Sequence, residues 1–296
     1  MKDCLLLFAL IHCLFAATLN GQVETMTPAQ PEVIIVNTTQ LDGFQNLEAG
    51  NFDLAIEQFD QLLEQRPNYV SALMGKAKSL FQLSEYQEAY DTYSKVLEIH
   101  ASDVHSLEGL GNSALFLGQT DLALTHFKKA LNLKPDNGKI YHAIAVSQIC
   151  KNDYLNAAES AKMASLMFNK QGIEAPYSLI LAYFSYAQID DKENMQQVLT
   201  YSKNLNVADR WPSSIIQFIK GDIKTSELIS RVQSEKEEIE AHTYVGLKLK
   251  YEEQFQASEM HLNWVENFEK TDVLESLIAK HILKHSRESI SHAFNY

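Results

Sequence analysis

The 296-residue chain carries 25 Lys and Arg against 38 Asp and Glu, a net charge of −13. That balance argues against a nucleic-acid binder, which needs clustered cations, and against broad adsorption to anionic membranes. Apolar residues make up 46%, which excludes wholesale disorder, and 11 Gly with 6 Pro leave few tight turns for a many-stranded sheet, so the composition predicts a mostly helical protein.

Residues 1–21 read as a secretory signal peptide. Lys2 and Asp3 form a short polar start, and Leu5 to Leu19 is almost wholly apolar, interrupted chiefly by His12. Ala16 and Ala17 supply small residues ahead of the polar Asn20-Gly21-Gln22. The run is short for a membrane span, so no stable membrane insertion is expected once it is removed. His12 stands where a lipid-attachment signal has a small residue, which argues against lipidation at Cys13. Loss of this segment leaves Cys150 as one cysteine, which cannot form an internal bridge. Asn37-Thr38-Thr39 is a glycosylation sequon, meaningful in a eukaryotic host. Residues 22–35 hold Pro28 and Pro31 without helical period, predicting a flexible tether, with Val33 to Val36 docking as a short extended piece.

Residues 36–171 repeat with a period of 34. Ala55, Ala89, Ala123 and Ala157 keep that step, as do Gly43, Ala77, Gly111 and Ala145. Phe59, Tyr93 and Phe127 follow in register, as do Leu63, Leu97 and Leu131, and Pro67 and Pro135 close the first and third units. A small residue inside each helix lets two backbones approach, and an aromatic ring fills the space between one helical pair and the next. Gly50 and Gly118 fall between the two helices of a unit, where a left-handed cap is needed. No hairpin can bury its face alone, so neighbours must stack into a solenoid.

These residues resemble the tetratricopeptide repeat family. The fullest unit runs Leu107-Glu108-Gly109-Leu110-Gly111, then Gly118, Ala123, Phe127, Ala130 and Pro135. The resemblance implies an all-α, right-handed solenoid of antiparallel helix pairs, four of them over 36–171. It also implies a concave groove, lined by the first helix of each unit, that holds a protein or peptide partner. By register the groove positions are Met74, Lys78, Glu108, Asn112, His142 and Val146. Asn112 fits one position of the family's carboxylate clamp, whereas Glu108 lies where that clamp has lysine and would repel a terminal carboxylate.

Beyond the repeats, residues 172–205 read as an atypical helical pair and 206–238 as an irregular helical connector. Residues 239–296 read as a fifth repeat-like unit followed by a capping helix, with Gly246, Phe255, Ser258 and Leu262 in register. This tail is similar to exported bacterial tetratricopeptide proteins of the new lipoprotein I type. The likeness rests on Trp211-Pro212, Gly221, Glu240-Ala241, Tyr244 to Gly246 and Glu275.

Three tempting constellations read as packing or solvated surface. Gly109-Leu110-Gly111 with Ala114 matches a dinucleotide fingerprint, but without the strand that fingerprint requires. His281 and His285 share metal-ligand spacing, yet Lys280 and Lys284 flank them. Cys150 and His142 lie two helical turns apart, too far for a catalytic pair within one helix. The chain is therefore expected to use no metal or cofactor and to catalyse no reaction. The reading that follows is an exported scaffold or adaptor, periplasmic or secreted, that binds a protein through its groove or its C-terminal surface. Its role would lie in cell-envelope assembly or maintenance. The alternatives are a self-assembling structural component, a homodimer among its forms, and a secreted enzyme within Pro176 to Glu240.

Overall fold

A computed structural model describes the backbone of residues 31–202, 211–268 and 271–294, and the side chains of 40–202, 211–268 and 271–287. The expected signal peptide, 1–21, lies outside the described residues, as does most of the expected tether. The described residues up to Thr38 and those from Thr39 onward belong to two separate units. In the first unit the backbone is helical from Pro31, so Val33 to Val36 are helical rather than extended. Proline at the first helical position gives the reason: its fixed φ suits a helix start, where its missing N–H is not needed.

In the larger unit all described regular structure is helical. The repeats comprise α1 (Pro31–Glu48, which enters this unit at Thr39), α2 (Phe52–Gln65), α3 (Val70–Gln82), α4 (Tyr86–Ile99), α5 (Val104–Phe116), α6 (Thr120–Leu133), α7 (Gly138–Ile149) and α8 (Tyr154–Lys170). The C-terminal part comprises α9 (Pro176–Gln188), α10 (Lys192–Ser202), α11 (Trp211–Lys220), α12 (Thr225–Ser230), α13 (Glu235–Tyr251), α14 (Phe255–Glu266) and α15 (Leu274–Phe294).

The core of the repeats is a ring seated between small residues. A Cβ added at Gly43 would come within 2.8 Å of the Phe59 ring, and one at Gly75 within 2.2 Å. Gly109 stands in the same relation to Tyr93 at 2.4 Å, and Gly111 to Phe127 at 2.3 Å. Each ring thus meets a small residue of the helix before it, which closes its own hairpin, or of the helix after it, which locks that hairpin to the next. Gly109 and Gly111 are spent on this packing, in the middle of helix α5.

The turn inside each repeat recurs more faithfully than its sequence. Gly50, Ser84, Gly118 and Asn152, 34 residues apart, all have positive φ, between 58° and 79°. After each, a backbone N–H bonds the carbonyl five residues earlier: Asn51 to Asn46, Glu85 to Leu80, Gln119 to Ala114 and Asp153 to Gln148, at 2.8–2.9 Å. This is the Schellman closure of a helix C-terminus. Glu253 repeats it at φ 60°, with Gln254 bonding Leu249, between α13 and α14.

Helices α3, α5, α7 and α9 pack in series as one layer. Helix α15 packs on α14 and α13 and reaches back to α7. Its apolar face is the reason: Ile278, Ala279, Ile282 and Leu283 are fully buried. The stretch before it is tied to the second repeat, where Tyr86 Oη donates to the Thr271 carbonyl at 2.5 Å and Gln82 Nε2 to Asp272 Oδ2 at 3.2 Å.

Candidate functional site

The layer of first helices bounds an open groove of about 650 Å³. Four of the six register positions, Met74, Lys78, Glu108 and Asn112, line it together. Helix α3 positions Met74 and Lys78 one turn apart, and α5 does the same for Glu108 and Asn112. Met74 is held from below, its Sδ accepting from the buried Ser106 hydroxyl at 3.0 Å. Glu108 Oε2 accepts from Asn137 Nδ2 at 3.4 Å. The neighbouring Tyr93 phenol is pushed far up by burial and by the Glu108 charge, so it stays protonated. Asn112 Oδ1 is buried without a hydrogen-bond partner.

Past Asn112 the groove opens into an inner cavity of about 450 Å³. Glu108, Asn112 and His142 line it, and Asp272, Val273, Leu274 and Glu275 form part of its wall. His142 Nδ1 lies 3.2 Å from Ser178 Oγ, and burial lowers its pKa, keeping the ring neutral.

Val146 corrects the sequence expectation. It is 0% exposed and belongs to the core, so it cannot line the groove. Along its register row Lys78 is exposed, Asn112 half-buried and Val146 fully buried. The cause is the C-terminal part: α9 and α15 both pack against α7 and cover the face that repeats two and three leave open. A repeat pattern read within 36–171 carries no signal for helices arriving from beyond it.

The cavity also contains residues that sequence reasoning did not place in a site. Glu240 on α13 is 1% exposed, and its Oε2 accepts from Tyr177 Oη at 2.9 Å and Trp211 Nε1 at 2.8 Å. Lys236 Nζ approaches Oε1 at 3.9 Å. Burial, reinforced by the charge of Glu275, pushes the Glu240 carboxyl up to about 7. Glu275, 5% exposed, accepts from the buried Tyr244 hydroxyl at 3.0 Å. The residues behind the tail resemblance, Trp211, Glu240, Tyr244 and Glu275, therefore meet in one buried polar network. The sequence signal was a carboxylate set between Ile239 and Ala241 on the apolar face of its helix, with Tyr244 one turn on.

The remaining reactive groups are committed to packing. Burial pushes the Cys150 thiol up to about 12, and Sγ lies 3.9 Å from the Leu277 carbonyl. Asn152 sits between His281 and His285, its Oδ1 3.0 Å from His281 Nε2 and its Nδ2 2.6 Å from His285 Nε2. Among the described residues no group of three or more His, Cys, Asp or Glu is placed to hold a metal ion. Nor is any described helix long and apolar enough to cross a membrane.

Comparison with known proteins agrees with this architecture. Tetratricopeptide repeat models match residues 46–104 and 104–137. The protein CTR9 homolog of Arabidopsis thaliana is 30% identical over 108 residues, covering 36% of this chain and 10% of that relative. The chain spans about a tenth of the length of that relative, 12% of the phagocyte signaling-impaired protein of Drosophila pseudoobscura pseudoobscura and 40% of ycf37 of Pyropia yezoensis. A tetratricopeptide repeat protein from Parabacteroides merdae superposes with a TM-score of 0.57 at 14% identity, over 84% of this chain and 99% of that one. MamA from Desulfovibrio magneticus RS-1 superposes at 0.53 and 16% identity, over 60% of this chain and 97% of that one.

Proposed function

Because the chain is a tetratricopeptide repeat protein, we propose that it is a non-catalytic scaffold holding an extended segment of a partner polypeptide in the groove of α3 and α5. The observation that carries this reading is the groove itself, where Met74, Lys78, Glu108 and Asn112 face one open hollow. Met74 offers adaptable apolar contact, and the Asn112 side-chain amide can donate to a peptide carbonyl. Export, and a role in the cell envelope, belong to the same proposal and are supported by the apolar run Leu5 to Leu19 behind Lys2.

A photo-crosslinking side chain placed at Lys78 and, separately, at Leu54 tests it in the native host. Leu54, on the second helix of the first repeat, is 52% exposed and absent from the groove lining. Capture of a polypeptide from position 78 but not 54, abolished by Met74→Ala with Asn112→Ala, is expected. Equal capture from both positions, or capture that ignores the double substitution, would overturn the groove as the site.

A further inference from the structure

We propose that the groove receives its partner by a free amino end, with the terminal ammonium group lodged in the inner cavity; this rests on the groove reading above and adds which end enters. Two observations carry it, one of shape and one of charge.

The shape admits an end rather than a through-running chain. Accessibility falls along one register row from exposed Lys78 through half-buried Asn112 to wholly buried Val146. The stretch 272–275, anchored to the second repeat by Tyr86 and Gln82, walls the cavity beyond Asn112. A segment lying on α3 and α5 therefore meets only the first turns of α7, at Lys139, His142 and Ala143, because the face beyond them at Val146 is covered.

The charge selects which end. Carboxyl groups of Glu108, Glu174, Glu240, Asp272 and Glu275 line the cavity, facing the ammonium groups of Lys139 and Lys236. Glu275 is nineteen-twentieths buried and gives one oxygen, Oε1, to Tyr244. Among the described residues no hydrogen-bond donor reaches its other oxygen. An ammonium group, with three donors, satisfies such an acceptor, whereas a terminal carboxylate would be repelled. Neutral His142 adds no opposing charge. Along the groove the balance shifts, with Lys78, Lys134 and Lys139 outnumbering Glu48 and Glu108, so acidic residues a short distance behind the amino end complete the fit.

The experiment offers the immobilised full chain a library of short randomised peptides, once with free amino ends and once N-acetylated. Selected peptides are then titrated by fluorescence anisotropy. We expect binders with free amino ends and acidic residues behind them, weakened about tenfold or more by acetylation, as for loss of a close charge pair. Glu108→Gln should weaken the free form and leave the acetylated form unchanged. Acetylated peptides that bind equally well, while Lys78→Glu weakens both forms, would overturn the amino-end proposal and leave the groove reading standing. Selection of no peptide, or binding indifferent to both Lys78→Glu and Met74→Ala, would overturn both.

Discussion

The repeats and the C-terminal part fill their interiors by different physics. From Thr39 to Lys170 the buried polar groups are mostly small hydroxyls, some bonding their own helix, as Ser79 does to the Gly75 carbonyl at 3.0 Å and Ser147 to Ala143 at 2.8 Å. Apart from His126, whose ring meets the Tyr90 hydroxyl at 3.0 Å, the rest of that core is a matter of volume, with rings set against glycine. From Pro176 onward the core takes in whole carboxyl groups, Glu240 and Glu275, with phenol and indole donors to satisfy them. The first region should respond to changes of size, the second to changes of protonation. This division also fits the candidate site, whose groove belongs to the repeats and whose inner cavity is walled by the polar network.

The sharpest way to break the comparison is to empty a ring site. Phe127 is fully buried against Gly111. Phe127→Ala should cost about 3–5 kcal/mol, because little in a small-residue seat can collapse into the void. Phe255, 61% exposed, starts helix α14 in register with Phe52 and Tyr86, which start α2 and α4, and has no such seat. Phe255→Ala should stay within about 0.5 kcal/mol. Urea melts of the two variants check the contrast, and comparable losses would mean that ring burial is not what holds the repeats. The converse change comes next in size. Gly111→Ala puts a Cβ 2.3 Å from the Phe127 ring and should destabilise by about 1–3 kcal/mol through overpacking, with no dependence on pH.

Legibility in the sequence divides along the same line. The 34-residue series exposed the helix pairs because steric seating leaves a periodic trace: one small residue, one ring, one turn per unit. It also placed Met74, Lys78, Glu108 and Asn112 on one face, since side chains a turn apart on successive helices must share it. Val146 was misread because its burial depends on α9 and α15, which arrive from outside the period. The Glu240 network was missed as a site because its members come from α9, α11, α13 and α15, and no local spacing joins them. Ser84 and Asn152 went unnoticed as turn residues because neither is glycine, although their backbones copy Gly50 and Gly118.

Protonation distinguishes the second region. Glu240 titrates near 7 in the folded chain, above the 4.5 of an ordinary carboxyl. Between those values the unfolded chain has released this proton and the folded chain still holds it. The Glu240 contribution to stability therefore falls as pH rises through the window and levels off above it. Glu240→Gln keeps an acceptor for Tyr177 and Trp211 but removes the titration. Relative to the parent, the variant should gain on the order of 3 kcal/mol between about pH 4.5 and 7. Four histidines held low by burial, His126, His142, His242 and His261, titrate in the same window with the opposite sign, so only the difference between parent and variant isolates Glu240. Melting curves across the range check it. A difference between parent and variant that does not change with pH would show that Glu240 is not the group that titrates.

The smallest expected effect isolates backbone conformation from packing, which makes it the finest test of the repeat turn. Ser84 holds φ at 62°, where a residue with a Cβ is strained by roughly 1 kcal/mol. Glycine relieves that strain but enlarges the freedom of the unfolded chain, so Ser84→Gly should stabilise by only about 0.5 kcal/mol. Gly118 occupies the same turn one repeat later at φ 75°, and a Cβ built there meets nothing within 4 Å. Any cost of Gly118→Ala is therefore conformational, and about 1 kcal/mol of destabilisation is expected. Opposite signs at two positions separated by one period, measured in the same urea melts, would establish that the turn imposes its geometry whatever residue stands there. Equal signs would mean that the turn at Ser84 is held by its surroundings and not by the left-handed cap.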